Sequence, residues 1–275
     1  MQNTEKTYVL GIDIGSTTVK IAILDSNHEV VFSDYRRHYA NIQGTLAAQL
    51  SDAFEKIGEV NIIPMITGSG GLTLSKHLKS TFVQEVVAVA TALKAVAPQT
   101  DVAIELGGED AKIIYFTGGI DQRMNGICAG GTGSFIDQMA SLLQTDAIGL
   151  NEYAKSYKSI YPIAARCGVF AETDVQPLIN EGATREDLSA SIFQAVVNQT
   201  ISGLACGKPI RGHVAFLGGP LHFLSELKQA FIRTLNLTDE YIVDPENSHL
   251  FAAIGAALNC ESKDAMIGIS DLIAK

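Results

Sequence analysis

Two stretches of this sequence repeat one chemical pattern. GIDIGSTTVKIAIL at 11–24 and AIELGGEDAKIIYF at 103–116 align without a gap. Each carries a carboxylate, Asp13 or Glu105, then a glycine two residues later and a lysine seven residues later, Lys20 or Lys112. A glycine turn exposes successive backbone N–H groups, which can cradle phosphate oxygens. Gly15, Ser16, Thr17, Thr18 and Lys20 in the first turn, and Gly107 and Gly108 in the second, are therefore the expected phosphate contacts. Asp13 is placed to hold Mg²⁺ through water, because that ion keeps most of its waters and needs only one or two carboxylates. Glu105, Glu109 or Asp110 could orient an attacking water. Buried carboxylates are costly when unpaired, so two such acids suggest a shared cation. The bland alternative is a pair of tight hairpins; two aligned copies argue against it.

The elements expected to carry these turns follow from periodicity. Strands are expected at Tyr8–Ile14, Val19–Leu24 and Glu29–Ser33, then a helix at Thr45–Ile57, a strand at Ile62–Thr67 ending in a glycine turn at 68–71, and a helix at Glu85–Val96 closed by Pro98. The pattern then restarts. Strands are read at Val102–Leu106 and Ala111–Phe116, helices at Phe135–Leu143, Ala171–Ile179 and Leu188–Ala205, and a strand at His213–Leu217. One helix is expected after Gly218–Gly219–Pro220 through Leu235, and a final small-residue helix at Leu250–Leu258. The reading is an internal duplication of one hairpin within an α/β chain.

Composition limits the function. The chain has 275 residues, a formal net charge of −10, 47% hydrophobic and 18% charged residues. Scattered basic residues and an acidic balance argue against nucleic acid. No apolar run approaches a membrane span, and no secretory signal is visible, so the protein reads as cytoplasmic. His77, His213 and His249 read as structural or surface residues. Glu181, Glu186 and Asp187 read as a solvated loop and helix start.

The four cysteines, Cys128, Cys167, Cys206 and Cys260, form no C-x-x-C pair. Cys128 and Cys167 each stand just ahead of an expected helix. A helix N-terminus lowers a thiol pKa from about 8.5 toward roughly 3.5–7.5 in favourable cases. Two thiolates cannot fill the four cysteine positions of a [4Fe–4S] cluster. Four could come from one chain if Cys206 and Cys260 joined, but neither has a loop-like setting; two from each of two chains, with the cluster on a two-fold axis, is preferred, and burial as small core residues is the competing reading.

The duplicated hairpin with D-x-G, the later FLGG turn and the small-residue final helix resemble the actin, hexokinase and heat-shock chaperone ATPase superfamily. The resemblance implies two ribonuclease-H-like domains closing around ATP–Mg²⁺, the first at 1–98 plus 250–275, with the final helix crossing back to it, and the second at 99–249. It implies that Phe216–Pro220 is the adenosine turn, with Gly218, Gly219, Pro220 and His222 near the nucleotide and Pro245 near the adenine. NGICAGGTGSFIDQMA and RCGVFAETDV resemble the signature segments of the BadF/BadG/BcrA/BcrD ATPase family. That family includes activators of 2-hydroxyacyl-CoA dehydratases and subunits of ATP-dependent benzoyl-CoA reductases. The resemblance implies that Cys128 and Cys167 hold one [4Fe–4S] cluster between the subunits of a homodimer. It further implies ATP-driven one-electron transfer, with a ferredoxin or flavodoxin as donor and an iron–sulfur dehydratase or reductase as acceptor. Cys206 and Cys260 match no motif and are read as packing residues. Two departures stand out. The second turn reads E-L-G-G-E-D where activators usually show D-x-G-G-Q-D, so Glu109 adds a negative charge beside the expected γ-phosphate. The adenosine turn reads GGPLHF where GGVAxN is more usual, a form similar to the activator-like halves of larger fused proteins. A sugar-type kinase of the same superfamily, with Asp110 or Asp137 as base, and a nucleotide-dependent scaffold without a cluster are the competing functions.

Overall fold

The computed structural model describes residues 7–125, 130–164, 168–261 and 265–275. Two compact units emerge. The first comprises residues 1–98 and 249–275, the second residues 99–248.

In the first unit β1 (Thr7–Ile14), β2 (Thr18–Leu24) and β3 (Val30–Arg37) form a meander. It is followed by α1 (Ile42–Ile57), β4 (Asn61–Thr67), α2 (Gly71–Leu78), β5 (Thr81–Phe82) and α3 (Glu85–Val96). In the second unit β6 (Val102–Leu106), β7 (Ala111–Tyr115) and β8 (Asp121–Met124) form the matching meander. Helices α4 (Gly133–Leu142), α5 (Ala147–Ala154), α6 (Gly168–Asn180) and α7 (Arg185–Thr200) follow it. Strand β9 (Val214–Leu217), helices α8 (Gly219–Phe223) and α9 (Ser225–Leu235), and β10 (Ile242–Val243) complete the unit. The chain returns to the first unit with α10 (Phe251–Leu258), β11 (Ile267–Gly268) and α11 (Ile269–Ile273).

The two sheets share a plan. The first runs β11-β4-β1-β2-β3, with β5 on β4; the second runs β10-β9-β6-β7-β8. In each, the meander is antiparallel and the strand after the helices adds in parallel, β4 on β1 and β9 on β6. The central strands are buried on both faces, so they read as continuous apolar runs rather than alternating ones. Each unit has its own apolar core.

Small residues let α10 lie against backbone. A Cβ on Gly11 of β1 would fall 1.8 Å from the Ala253 carbonyl oxygen, and one on Gly255 would fall 1.8 Å from that of Ala88 in α3. Real Cβ atoms do not approach that closely, so both positions require glycine.

Several elements differ from expectation. The segment 71–78 is a helix, hidden in the sequence by its glycine-rich start. β8 (DQRM) is a short polar strand at the sheet edge, where one side needs no apolar cover. The helix expected through Leu235 is two helices. Leu224 interrupts them, and Asn151 of α5 accepts the Glu226 N–H at 2.8 Å and donates to the Ser225 hydroxyl at 3.2 Å, starting α9 afresh. The long helix ends in a π-helical turn at Ile201–Ala205. No helix among the described residues is long and apolar enough to cross a membrane.

Candidate functional site: two phosphate turns

The repeated hairpins superimpose in register. Asp13 is opposite Lys20 across β1 and β2, and Glu105 is opposite Lys112 across β6 and β7. Directly opposed residues share a face of the sheet, so each acid meets its own lysine. Lys20 Nζ lies 2.7 Å from Asp13 Oδ2. Lys112 Nζ lies 2.7 Å from Asp110 Oδ2 and 3.8 Å from Glu105 Oε1. Both acids are compensated by lysines of the same hairpin. Burial alone would push the Lys20 ammonium down; the Asp13 carboxylate outweighs it, and the net direction is strongly upward.

The two turns close identically. Gly15 N–H donates to the Thr18 carbonyl at 2.9 Å, and Gly107 N–H donates to the Asp110 carbonyl at 2.8 Å. In the first unit His38 supports the turn. Its N–H donates to Thr17 O at 3.1 Å, and its Nε2 lies 3.3 Å from Gly15 O. The N–H groups of Ser16 and Thr17 have no acceptor among the described residues.

The second turn is more completely built. The Gly107 carbonyl accepts from Gly133 N–H at 3.0 Å and the Gly108 carbonyl from Ser134 N–H at 2.7 Å, both in the first turn of α4. The Glu109 carbonyl accepts from Asn125 Nδ2 at 3.3 Å. Every carbonyl from Gly107 to Asp110 is thus occupied by protein. The N–H groups of Gly108, Glu109 and Asp110 have no acceptor among the described residues. Three successive amides without acceptors among the described residues make this turn a candidate for anion binding. A Cβ on Gly107 would fall 1.9 Å from Asp110 Oδ1, so a larger residue there would displace the carboxylate that Lys112 holds. Glu109 is exposed and Asp110 half-buried.

The duplication extends to the parallel strands. β4 is followed at once by Gly68 (φ 89°) and β9 by Gly218 (φ 88°). A Cβ on Gly68 would fall 2.4 Å from Ile14 O, and one on Gly218 would fall 2.1 Å from Leu106 O, the equivalent carbonyl. The hairpin alignment did not extend to Gly68; TGSGG at 67–71 against LGGPL at 217–221 would have revealed it.

Around Gly218 the expected adenosine residues come together within the second unit. Gly218 N–H donates to Ser248 O at 3.2 Å, and His222 Nδ1 lies 3.0 Å from Ser248 Oγ. These contacts stitch the Gly219–Pro220 start of α8 to the segment holding Pro245, which is half-buried three residues before Ser248. The Pro220 ring borders the second turn, as a Cβ on Gly133 would fall 3.4 Å from its Cγ. Burial, then the Lys228 ammonium, hold the His222 imidazole below the usual histidine range.

Cys128 and Cys167 lie outside the described residues. Their helices do not: α4 begins at Gly133 and α6 at Gly168, and the two pack together. A Cβ on Gly168 would fall 1.8 Å from Gln138 Oε1 of α4. Val169 and Phe170, in the first turn of α6, are exposed. Cys260 packs beside Met65, Val83, Ala88 and Ala256, as expected. Cys206 does not: it is exposed, in the left-handed region (φ 47°), with Sγ 3.3 Å from the Gly203 carbonyl. Asp187 also departs from expectation. It is buried, and its Oδ1 accepts the N–H groups of Lys158 and Ser159 at 2.7 and 2.9 Å. Sequence reasoning also missed Asn125 and His38, the two side chains that brace the turns. Neither belongs to a glycine motif, and only the sheet register brings them there.

Known proteins resemble this chain in sequence and fold. The BadF/BadG/BcrA/BcrD ATPase family matches residues 10–259. A 2-hydroxyisocaproyl-CoA dehydratase activator of Clostridioides difficile is 30% identical over 91% of this chain and 94% of its own. The solved activator of the 2-hydroxyisocaproyl-CoA dehydratase from Clostridium difficile with bound ADPNP has a TM-score of 0.81 at 28% identity, covering 91% of this chain and 93% of that one. Component A of the Acidaminococcus fermentans (R)-2-hydroxyglutaryl-CoA dehydratase has a TM-score of 0.82 at 27% identity, covering 98% and 100%. The fold is that of the actin and hexokinase-like ATPases, and the chain belongs to the BadF/BadG/BcrA/BcrD ATPase family.

Proposed function

We propose that this protein is an ATP-hydrolysing reductive activator of a 2-hydroxyacyl-CoA dehydratase or related iron–sulfur enzyme. The observation that carries the nucleotide half is the second turn, where three amides have no acceptor among the described residues while all the carbonyls are held. Such a turn binds anions without rearranging, so phosphate is its natural ligand. Gly15–Thr18 and Lys20 would contact phosphates from the first unit, and Gly107 and Gly108 from the second. Gly218, Gly219, Pro220, His222 and Pro245 would line the adenosine side. Asp13 would face Mg²⁺ through water, and Glu105, Glu109 or Asp110 would orient the hydrolytic water. For the cation to bind, Lys20 would exchange Asp13 for a phosphate oxygen, a trade between two anions.

The redox half rests on the two helices. Cys128 and Cys167 precede helices that pack against one another within one unit. This fits two thiols that act together, and two copies of the chain would supply the four required by a [4Fe–4S] cluster. Such a cluster supplies a one-electron store. The exposed Val169 and Phe170 beside Cys167 support a homodimer contact there. A cytoplasmic ferredoxin or flavodoxin would be the donor and the dehydratase the acceptor; the relatives' names as dehydratase activators support the acceptor.

The test is anaerobic purification with an absorption spectrum and iron and sulfide counts. About four of each per two chains are expected, and Cys128→Ala should abolish iron while ATP binding persists. Retention of full iron by that variant would sink the cluster assignment. A colourless protein that still binds ATP would favour a nucleotide-dependent scaffold.

A further inference from the structure

Four residues form one row across the first sheet. Thr67, the last residue of β4, is opposite Asp13 of β1. Asp13 is opposite Lys20 of β2, and Lys20 is opposite Tyr35 of β3. Residues of one row share a face of the sheet. Asp13 therefore has a hydroxyl on one flank and an ammonium on the other. Its two carboxylate oxygens are placed differently. Oδ2 lies 2.7 Å from Lys20 Nζ. Oδ1 lies toward the end of β4, where a Cβ on Gly68 would fall 2.3 Å from it. Oδ1 receives no hydrogen bond from the described residues.

Thr67 is fully buried, and its Oγ1 has no hydrogen-bond partner among the described residues. A buried hydroxyl left unpaired is costly, and native folds keep few of them. The fold does not require one here. In the second sheet the residue opposite Glu105 on the parallel strand is Leu217. Leu217 is also buried and also precedes a positive-φ glycine. An apolar side chain thus serves at the equivalent position, and the hydroxyl stands only beside Asp13. The orphan is accounted for if Oγ1 gains its partner in another state of the site.

The exchange of Asp13 for a phosphate oxygen by Lys20 creates such a state. A buried carboxylate that loses its cation needs another donor. Neighbouring strands are about 4.8 Å apart. Turning Thr67 about its Cα–Cβ bond to another staggered rotamer brings Oγ1 within reach of the row's next side chain. Hydroxyl-to-carboxylate bonds are short and strong.

We infer that Thr67 is a positioning residue for Asp13. Its hydroxyl donates to Asp13 Oδ1 when Lys20 moves to phosphate, and so keeps the carboxylate oriented toward Mg²⁺-bound water. The inference rests on the nucleotide site proposed for the first turn and not on the cluster.

The experiment is calorimetric titration of the full-length protein with a non-hydrolysable ATP analogue, in Mg²⁺ and in EDTA. Wild type, Thr67→Val and Thr67→Ser are compared. The first variant copies the shape without the hydroxyl, and the second keeps the hydroxyl. The quantity read is the ratio of the two affinities, the Mg²⁺ gain. Thr67→Val should lower this gain at least about fivefold, the weight of one hydrogen bond. Its nucleotide-free melting temperature should equal or exceed that of wild type, because an unpaired buried hydroxyl is gone. Thr67→Ser should recover most of the gain. Should Thr67→Val not fold, Thr67→Ala decides by the same ratio. A wild-type gain in the folded variant overturns the inference and leaves the nucleotide site standing, whatever the melting temperature does. A wild type that binds the analogue equally in Mg²⁺ and EDTA overturns it together with the cation role of Asp13. A wild type that binds no analogue overturns it together with the nucleotide reading.

Discussion

Lys20 and Asp13 form a direct cross-strand ion pair at 2.7 Å, whereas their counterparts Lys112 and Glu105 stand 3.8 Å apart and Lys112 turns to Asp110. One inherited pattern has two electrostatic outcomes. The acid in the first strand is held by its lysine alone. In the second hairpin the lysine is shared, because the turn supplies Asp110 where the first has Thr18.

This asymmetry predicts unequal costs. Lys20→Met leaves a buried carboxylate without its cation and should destabilise the protein by about 3–5 kcal/mol, measured by chemical denaturation. Asp13→Asn in the same chain should recover part of that loss. The Lys20 ammonium is raised above its ordinary 10.5, so the pair's contribution is present below that pH and disappears as pH rises through the higher folded value. The wild-type to Lys20→Met difference should therefore be constant between about pH 6 and 9; a difference that vanishes in that window would contradict the pairing.

Gly218→Ala should affect both stability and nucleotide binding. Its φ of 88° and the 2.1 Å approach to Leu106 O leave no room for a methyl group. A cost of about 1–3 kcal/mol is expected, together with weakened ATP binding by calorimetry. Gly68→Ala should carry a similar stability cost, reporting the structural equivalence of the two turns. Unchanged melting temperatures for both variants would refute it.

Asp187 makes acid sensitivity local. The N–H groups of Lys158 and then Ser159 hold its carboxyl below the ordinary 3.8. Because the folded state binds the proton less readily, the stabilisation is present above that ordinary value and is lost as pH falls through the lower folded one. Asp187→Asn should be less stable than wild type at neutral pH, and the two unfolding midpoints should converge below about pH 3. Parallel curves down to that pH would show that the strap at 158–159 does not depend on the charge.

Glu109 is exposed at the crest of the second turn. If phosphate binds there, removing its charge should help. Glu109→Gln is expected to tighten Mg²⁺–ATP binding by roughly three- to tenfold, about 1 kcal/mol, with less effect at high salt. Weaker binding in the variant would assign the carboxylate to the cation instead.

The sequence made the phosphate turns legible because their geometry is local: glycines, an acid and a lysine within eight residues. It made α3 legible for the same reason, since Pro98 ends a clear apolar period. What stayed hidden depends on register. Asn125 reads as an unremarkable loop residue until β8 pairs with β7 and sets it opposite Ala111. Asp187 reads as a solvated acid until the strap at 158–159 crosses it. Cys206 reads as a packing cysteine because composition favours buried thiols; the π-helical turn before it rotates it outward. The break at Leu224 is set by Asn151, 73 residues earlier in the chain, a distance no periodicity can span.

The return of α10 to the first unit has a consequence for biosynthesis. Residues 99–248 are contiguous, so the second unit can complete its fold while the chain is still being made. The first unit cannot. Gly11 and Ala88 wait for Ala253 and Gly255, more than 150 residues downstream of Ala88. On a ribosome adding roughly 5–20 residues per second, the earlier-made half is therefore finished later. Pulse proteolysis of stalled nascent chains should find residues 99–248 protected before residues 7–98 become so; protection in the reverse order would show that the first sheet holds together without its closing helix.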